Sequence, residues 1–192
     1  MLITGFSLGL SACLTSDGPK LFRSDLLQPA GLAGNYLATK VPPSQDPNEP
    51  SSLDAKLDAQ TDGSYLLTFI EKDHTDSPAR LRLISLRPGT FLGVFTEADS
   101  DSDAMYALVS KKADKGWSFR IADIRQDSRT DALQAFVKRH GAQSITFEEL
   151  SATTTHDQIH GSLDAGQLRM LFSDPDFTKA LQTDSGFELT LK

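Results

Sequence analysis

Short apolar segments recur along the first two thirds of the chain, and residues that favour turns separate each segment from the next. In residues 53–60 apolar side chains alternate with polar ones, the period of a strand with one buried face. Asp62-Gly63 and Pro88-Gly89 then mark tight turns between consecutive segments. Strands spaced by about 12 residues and joined by short turns are typical of an antiparallel meander. Such a sheet must close on itself or pack against something that protects its edges.

One of these segments, residues 79–86, changes the face on which its apolar side chains lie. Leu81 and Leu83 share one face of the strand, whereas Ile84 and Leu86 share the other. Because side chains alternate strictly along a strand, this change of phase predicts a bulge or a sharp bend.

The last third of the chain changes from the strand period to the helix period. Apolar stripes at i, i+3 and i+4 run over residues 133–137 and 168–172. Asp174-Pro175 has the residue types of a cap and first position, which favours a third short helix. Strict alternation over residues 187–191 predicts a final strand that returns to the sheet.

The predicted fold class is therefore α+β and mainly β. An antiparallel meander of about seven strands would form a strongly bent sheet or a partly open barrel. Two to three short C-terminal helices would cover one opening or edge. We assign residues 1–12 to a signal-peptide apolar region and cleavage region, residues 13–30 to an N-terminal tether, and residues 31–192 to a single domain.

The amino-acid composition limits the kinds of molecule that this chain could bind. The hydrophobic fraction of 39% argues against a disordered chain. The net charge of −7 argues against a nucleic-acid partner, because nucleic-acid binding needs clustered Lys and Arg. The single cysteine excludes an intrachain disulfide.

That cysteine, Cys13, follows an apolar stretch at residues 2–10 that is much shorter than the ~20 residues of a membrane-spanning helix. The stretch has the length of the apolar region of a signal peptide. Leu10-Ser11-Ala12-Cys13 resembles the lipobox of bacterial lipoproteins, a Leu and two small residues before a Cys. The resemblance implies cleavage before Cys13, a diacylglycerol on its thiol and a membrane anchor. The alternative is a buried free cysteine on a short apolar segment.

Two further features bear on this resemblance. Residues 1–12 carry no charge, whereas a secretory signal begins with a basic region, so we expect either that the true start lies upstream or that the given sequence begins inside the signal. Leu14, rather than Asp, follows the cysteine. By resemblance to enterobacterial sorting, this implies the periplasmic face of the outer membrane.

Two clusters have residue types that bind metals. His156 and His160 would share a face of a helix and could hold zinc, but on a strand they would lie about 13 Å apart. The acidic residues Asp99, Asp101 and Asp103 suggest a calcium loop, although an EF-hand would need Gly and Glu at positions that here hold Ala and Ser. The favoured interpretation of both clusters is a solvated loop or edge strand, with no metal.

Aromatic residues lie on the predicted strands, where most are expected to form the core. If the sheet closes, some would line an apolar cavity instead; the candidates are Tyr36, Tyr65, Phe69, Phe91, Phe95 and Trp117. Gly34-Asn35-Tyr36 resembles the Gly-x-Trp at the start of the first lipocalin strand, with Tyr36 in place of the tryptophan. The resemblance implies a carrier of small hydrophobic ligands.

The sequence contains neither a nucleophile elbow nor a glycine-rich phosphate loop before a helix, so we predict no enzymatic activity and no cofactor. The first functional hypothesis is a lipid-anchored cell-envelope protein that binds an unknown partner protein or supports an envelope assembly. The alternative is a lipocalin-like carrier of a small hydrophobic ligand.

Overall fold

The computed structural model of this chain describes residues 15–16, 30–43, 50–71, 74–99, 104–113, 116–122, 135–136, 138–139, 146–150, 156–160, 165–181 and 186–192. The strands within these ranges are β1 (Thr15–Ser16), β2 (Gly34–Val41), β3 (Ser52–Ala59), β4 (Tyr65–Glu71), β5 (His74–Thr75), β6 (Ala79–Arg87), β7 (Thr90–Glu97), β8 (Ala104–Lys111), β9 (Trp117–Ile121), β10 (Thr146–Leu150), β11 (His156–His160) and β12 (Gly186–Leu191). The helices with assigned bounds are α1 (Ala165–Ser173) and α2 (Pro175–Leu181).

Eight of the strands form a closed antiparallel barrel. β2, β3, β4, β6, β7, β8 and β9 pair in chain order, and β12 lies between β9 and β2. Leu189 of β12 faces Trp117 on one side and Ala38 on the other. The meander and the final strand are confirmed. The sheet closes fully instead of staying partly open, because β12 pairs with both strands that the meander alone would leave as edges.

The remaining strands lie outside this closed circuit. β1 pairs with the start of β8, with Thr15 opposite Met105, and β5 pairs with the end of β4. β10 and β11 form a separate two-stranded antiparallel sheet.

The barrel interior is an apolar core to which every wall strand contributes. Alternate residues point inwards, which gives β9 and residues 53–57 of β3 their alternating burial. The fully buried inward side chains include Ala38, Leu57, Leu67, Leu81, Phe95, Val109, Phe119, Phe187 and Leu189.

A second apolar core lies on the outer face of β6, β7 and β8. It packs strand residues against both helices and Phe136, which lies in the predicted stripe at 133–137. Its members include Ile84, Leu92, Val94, Tyr106, Leu108, Phe136, Leu168, Leu171, Phe172, Phe177 and Leu181.

Both faces of β6 pack against a core, which explains why its apolar side chains change from one face of the strand to the other. Leu81 and Leu83 lie in the barrel interior, whereas Ile84 lies in the outer core and Leu86 packs against it. The pairing of β6 with β7 stays regular to Ser85, and the register shifts only between Ser85 and Arg87. The predicted irregularity therefore exists next to the turn, but it does not cause the change of phase.

Asp174 caps α2, as its sequence predicts. The backbone N–H groups of Asp176 and Phe177 donate to its Oδ1 at 3.0 and 3.1 Å. The Arg139 guanidinium donates to its Oδ2 at 2.6 Å. These contacts fix the start of α2, whose buried Phe177 and Leu181 belong to the outer core.

Glu188 connects β12 to its neighbours on the outer wall. Its carboxylate accepts from Lys112 Nζ at 2.8 Å and from Arg120 at 3.3 Å. The hydrogen bond from Lys112 is the main cause that lowers the pKa of Glu188 from its ordinary value of 4.5. The carboxylate therefore contributes stability above that ordinary value, and the contribution is lost as the pH falls through the lowered pKa.

We expect Glu188→Gln to lower the free energy of unfolding at pH 7 by less than about 1 kcal/mol, because the pair is partly exposed to solvent. The difference from the wild type should shrink as the pH falls below 4.5. Urea unfolding over a pH series measures it, with the exposed Glu97→Gln as the control. A stability difference between the wild type and Glu188→Gln that stays constant down to acid pH would contradict a stabilising role of the Glu188 carboxylate.

Candidate functional site

The structure brings the predicted aromatic candidates together inside the barrel. Five of them are buried and Phe91 is half-buried. The candidates are Tyr36, Tyr65, Phe69, Phe91, Phe95 and Trp117, and all belong to the interior core or pack against it.

Two further rings join these candidates into a chain that crosses the barrel. Phe119 stacks on Phe187 with ring centroids 4.6 Å apart, and Phe187 meets Phe69 edge to face at 5.5 Å. Phe69 on β4 and Phe187 on β12 are separated around the wall by β3 and β2, so their contact spans the interior. Phe95 continues the chain at 6.1 Å from Phe119. At this level the aromatic side chains pack on one another.

The inner wall beside Phe91 and Phe95 is equally full. Gly93 lies between them on the same face of β7, and a Cβ added there would lie 2.7 Å from Val109 Cγ2 and 3.4 Å from Leu81 Cδ1. Even a methyl group would therefore overlap the neighbouring side chain.

Residues 30–32 pack against the end of the barrel where β2 begins. The Tyr36 hydroxyl donates to the Leu32 carbonyl at 2.8 Å and also has a hydrogen bond with the Trp117 side chain. The backbone N–H of Ala30 donates to the Tyr65 hydroxyl at 3.3 Å, and Leu32 is fully buried. The polar atoms of these aromatic candidates thus hold the chain across the barrel end.

Burial is the main cause that raises the pKa of Tyr36 above its ordinary value of 10.0; the Trp117 hydrogen bond acts in the opposite sense, and Tyr65 adds to the rise. A raised pKa means that the neutral phenol stabilises the fold. This stability is present below pH 10 and is lost as the pH rises through the raised pKa.

We expect Tyr36→Phe to lower the free energy of unfolding by about 1–3 kcal/mol at neutral pH, because the Leu32 carbonyl and the Trp117 indole lose their partner. The wild type should lose this advantage above pH 10. Chemical unfolding at neutral and alkaline pH checks both effects. Equal stabilities of the wild type and Tyr36→Phe at neutral pH would show that the Tyr36 hydroxyl does not stabilise the fold.

The residues that the structure describes do not form a metal-binding cluster around the candidate metal ligands. Because β11 is a strand, the Cα atoms of His156 and His160 lie about 13 Å apart. This is the spacing at which the two side chains do not suit a single metal ion. Asp99 lies in a turn, whereas Asp101 and Asp103 lie outside the described residues. Within the described ranges, no group of three or more His, Cys, Asp or Glu residues could hold a metal ion.

Cys13 also lies outside the described residues. The nearest described residues are Thr15 and Ser16, which pair with Met105 and Ala104 at the start of β8. Part of the predicted tether therefore lies against the barrel wall.

The outer face of β2, β3 and β4 carries a groove that the sequence analysis did not single out. Leu37, Asp54 and Ile70 form one row across these strands, since Asp54 faces both other residues in the register. The two apolar side chains are 39% and 40% exposed. The groove has a volume of about 560 Å³, and its lining includes Leu37, Pro50, Ser52, Asp54, Ile70 and Glu71.

Two acidic residues line this groove, and they differ in their contacts. Asp54 forms an ion pair with the Lys192 ammonium. Glu71 is half-buried, and its Oε1 is buried with no hydrogen-bond partner among the described residues.

The described parts of the chain contain no helix of the length and apolarity that a membrane span requires. Comparison with protein-family models, with curated proteins and with solved structures found no match.

Proposed function

We propose that this chain is a bacterial lipoprotein, anchored in the cell envelope through a lipid on Cys13, that binds a partner protein on the outer wall of its barrel. The observation that carries the binding role is the groove on β2, β3 and β4, with Leu37 and Ile70 exposed on either side of Asp54. Exposed apolar side chains that cluster around a groove mark interaction sites more often than scattered ones do. The proposed role involves no catalysis.

The sequence Leu10-Ser11-Ala12-Cys13 supports the anchor, and Leu14 supports the periplasmic face of the outer membrane. Thr15 pairs with Met105 on β8, and two residues span at most ~7 Å. A lipid on Cys13 would therefore hold the barrel close to the membrane surface.

The interior packing favours an outer binding site over the alternative, a carrier with its ligand inside. The stacked rings of Phe119 and Phe187 and the edge contact with Phe69 occupy the centre of the barrel. A ligand at this level would have to separate rings whose contact contributes roughly 0.5–1.5 kcal/mol per pair.

The test is photo-crosslinking in a bacterium that carries the gene. A photoreactive amino acid at position 37 should give a discrete crosslinked protein. The same amino acid at Met170, which is 45% exposed on α1 and does not line the groove, should not. Ile70→Ser should weaken the product from position 37. Equal products from both positions, or none from position 37, would contradict a binding site in the groove.

A further inference from the structure

A layer of helical residues covers the outer face of β6, β7 and β8. This helical layer consists of residues 165–181, which contain α1 and α2, and the described residues 135–136 and 138–139. In the outer core, Phe172 of α1 packs on Tyr106 of β8 with ring centroids 6.4 Å apart. The helical layer is therefore attached to the wall of the barrel that includes β8.

The proposed lipid site is close to the same wall. β1 pairs with the start of β8, where Ser16 is opposite Ala104, and Cys13 is three residues before Ser16. Ala104 is fully buried in the outer core that the helical layer covers. Because three residues span at most about 11 Å, a lipid on Cys13 would enter the bilayer next to this layer.

The groove lies on the opposite wall of the barrel. It is centred on β3, which is four strands from β8 in both directions around the eight-stranded circuit. With strands about 4.8 Å apart and tilted by about 40°, the barrel wall is roughly 15 Å across. A membrane against the helical layer would therefore leave the groove accessible to a partner.

The helical layer carries more basic than acidic side chains, although the chain as a whole is acidic. Both of its described carboxylates pair with Arg139, at 2.6 and 3.6 Å. Lys138 and Lys179 are exposed and have no ion pair within the described residues. The four basic and two acidic residues of the layer are Lys138, Arg139, Arg169, Lys179, Asp174 and Asp176.

The exposed side chains of both helices point away from the barrel. On α1, Met170 is two positions before the buried Phe172, and on α2, Lys179 is two positions after the buried Phe177. Residues two positions apart differ by about 200° around a helix, so Met170 and Lys179 lie opposite the outer core. An outer face with basic side chains and an exposed apolar one suits the headgroup region of a bilayer.

The net charge of −7 acts against such a contact only at long range. At physiological ionic strength the Debye length is about 8 Å, so salt largely screens charges on the far wall, roughly 15 Å away. Each basic side chain near the surface adds to the attraction for acidic lipids. The local charge of the helical layer therefore decides the interaction at the membrane.

We infer that the helical layer is the face that the anchored protein presents to the membrane, where Lys138 and Lys179 bind the acidic headgroups of phospholipids. The groove on β2, β3 and β4 then faces the aqueous side. This inference rests on the proposed function, because the lipid on Cys13 brings the layer to the bilayer. It adds that the partner approaches the barrel from the side away from this membrane.

The test couples the full chain, through the thiol of its single cysteine Cys13, to a maleimide lipid in vesicles. The coupling makes the result independent of lipidation in the cell. The vesicles contain one-third phosphatidylglycerol and two-thirds phosphatidylcholine. A photoreactive amino acid at position 170 should crosslink to phosphatidylglycerol, detected by mass spectrometry, whereas the same amino acid at position 37 should give no lipid product above background.

Variants assign the lipid contact to the basic side chains. Lys138→Gln combined with Lys179→Gln should lower the lipid product from position 170 about 10-fold. Lys56→Gln combined with Lys111→Gln removes the same charge at exposed residues outside the helical layer and should leave that product unchanged. Circular dichroism verifies that both double variants are folded. Equal lipid products from positions 170 and 37, or an undiminished product without Lys138 and Lys179, would overturn the inference.

The crosslinked protein from position 37 in the bacterium separates this inference from the proposed function. If that protein product forms while the vesicle test fails, the groove binds a partner but the helical layer does not bind lipid, so only the inference fails. If no protein product forms at position 37, or Cys13 carries no diacylglycerol in the bacterium, the proposed function fails whatever the vesicle test shows.

Discussion

Phe187→Ala is expected to lower the free energy of unfolding by about 3–5 kcal/mol, the largest stability change that we predict. Phe187 is fully buried, stacks on Phe119 and meets Phe69 edge to face. It lies on β12, the strand that pairs with β9 and β2 to close the barrel. The substitution therefore leaves a void in the interior beside the strand that removes the open edges.

Urea unfolding of the wild type and the variant measures this loss. Leu191→Ala is the matched control, because Leu191 is on the same strand but is 46% exposed, and its loss should stay below about 1 kcal/mol. Similar losses in the two variants would mean that the barrel centre is not the packed core described above.

Cys13→Ala is expected to transfer the protein from the membrane fraction to the soluble fraction. A lipid chain contributes about 0.8 kcal/mol of membrane affinity per buried methylene, and the proposed anchor depends on one thiol. The variant is expressed from the full gene in a bacterium, and membrane and soluble fractions are compared by immunoblot.

Ser11→Ala is the control for this experiment, since it keeps a small residue before the cysteine and should remain in the membrane fraction. Mass spectrometry of the N-terminal peptide should find a diacylglycerol on Cys13. If Cys13→Ala partitions like the wild type, the anchor is wrong, whereas the groove on the outer wall is unaffected by that result.

The strands with one wet face were predictable from the sequence alone. β3 and β12 alternate apolar and polar residues, and the structure places both in the barrel wall. Closure was not predictable, because the pairing of β12 with both β9 and β2 is a non-local contact that periodicity does not encode. The phase change in β6 predicts a bulge or a sharp bend, because the sequence does not tell where the helices pack.

The groove on the outer wall could not be predicted from the sequence either. Residues 65–70 are apolar on both faces, which was the available signal that an apolar side chain of β4 faces outwards. Only the register shows that Ile70 shares a row with Asp54 and Leu37. The unpartnered oxygen of Glu71 depends on burial, which no local pattern specifies.

Our central claim is the proposal that the partner binds on the outside of the barrel, because packed aromatic rings occupy the centre of the interior. Trp117 is the single tryptophan of the chain, and it is buried in that interior. Its emission therefore reports directly on any ligand that enters. Titration with a brominated fatty acid, which quenches indole on contact, should leave the emission of Trp117 unchanged at protein-stoichiometric concentrations. Saturable quenching at those concentrations would contradict the claim and favour a hydrophobic-ligand carrier.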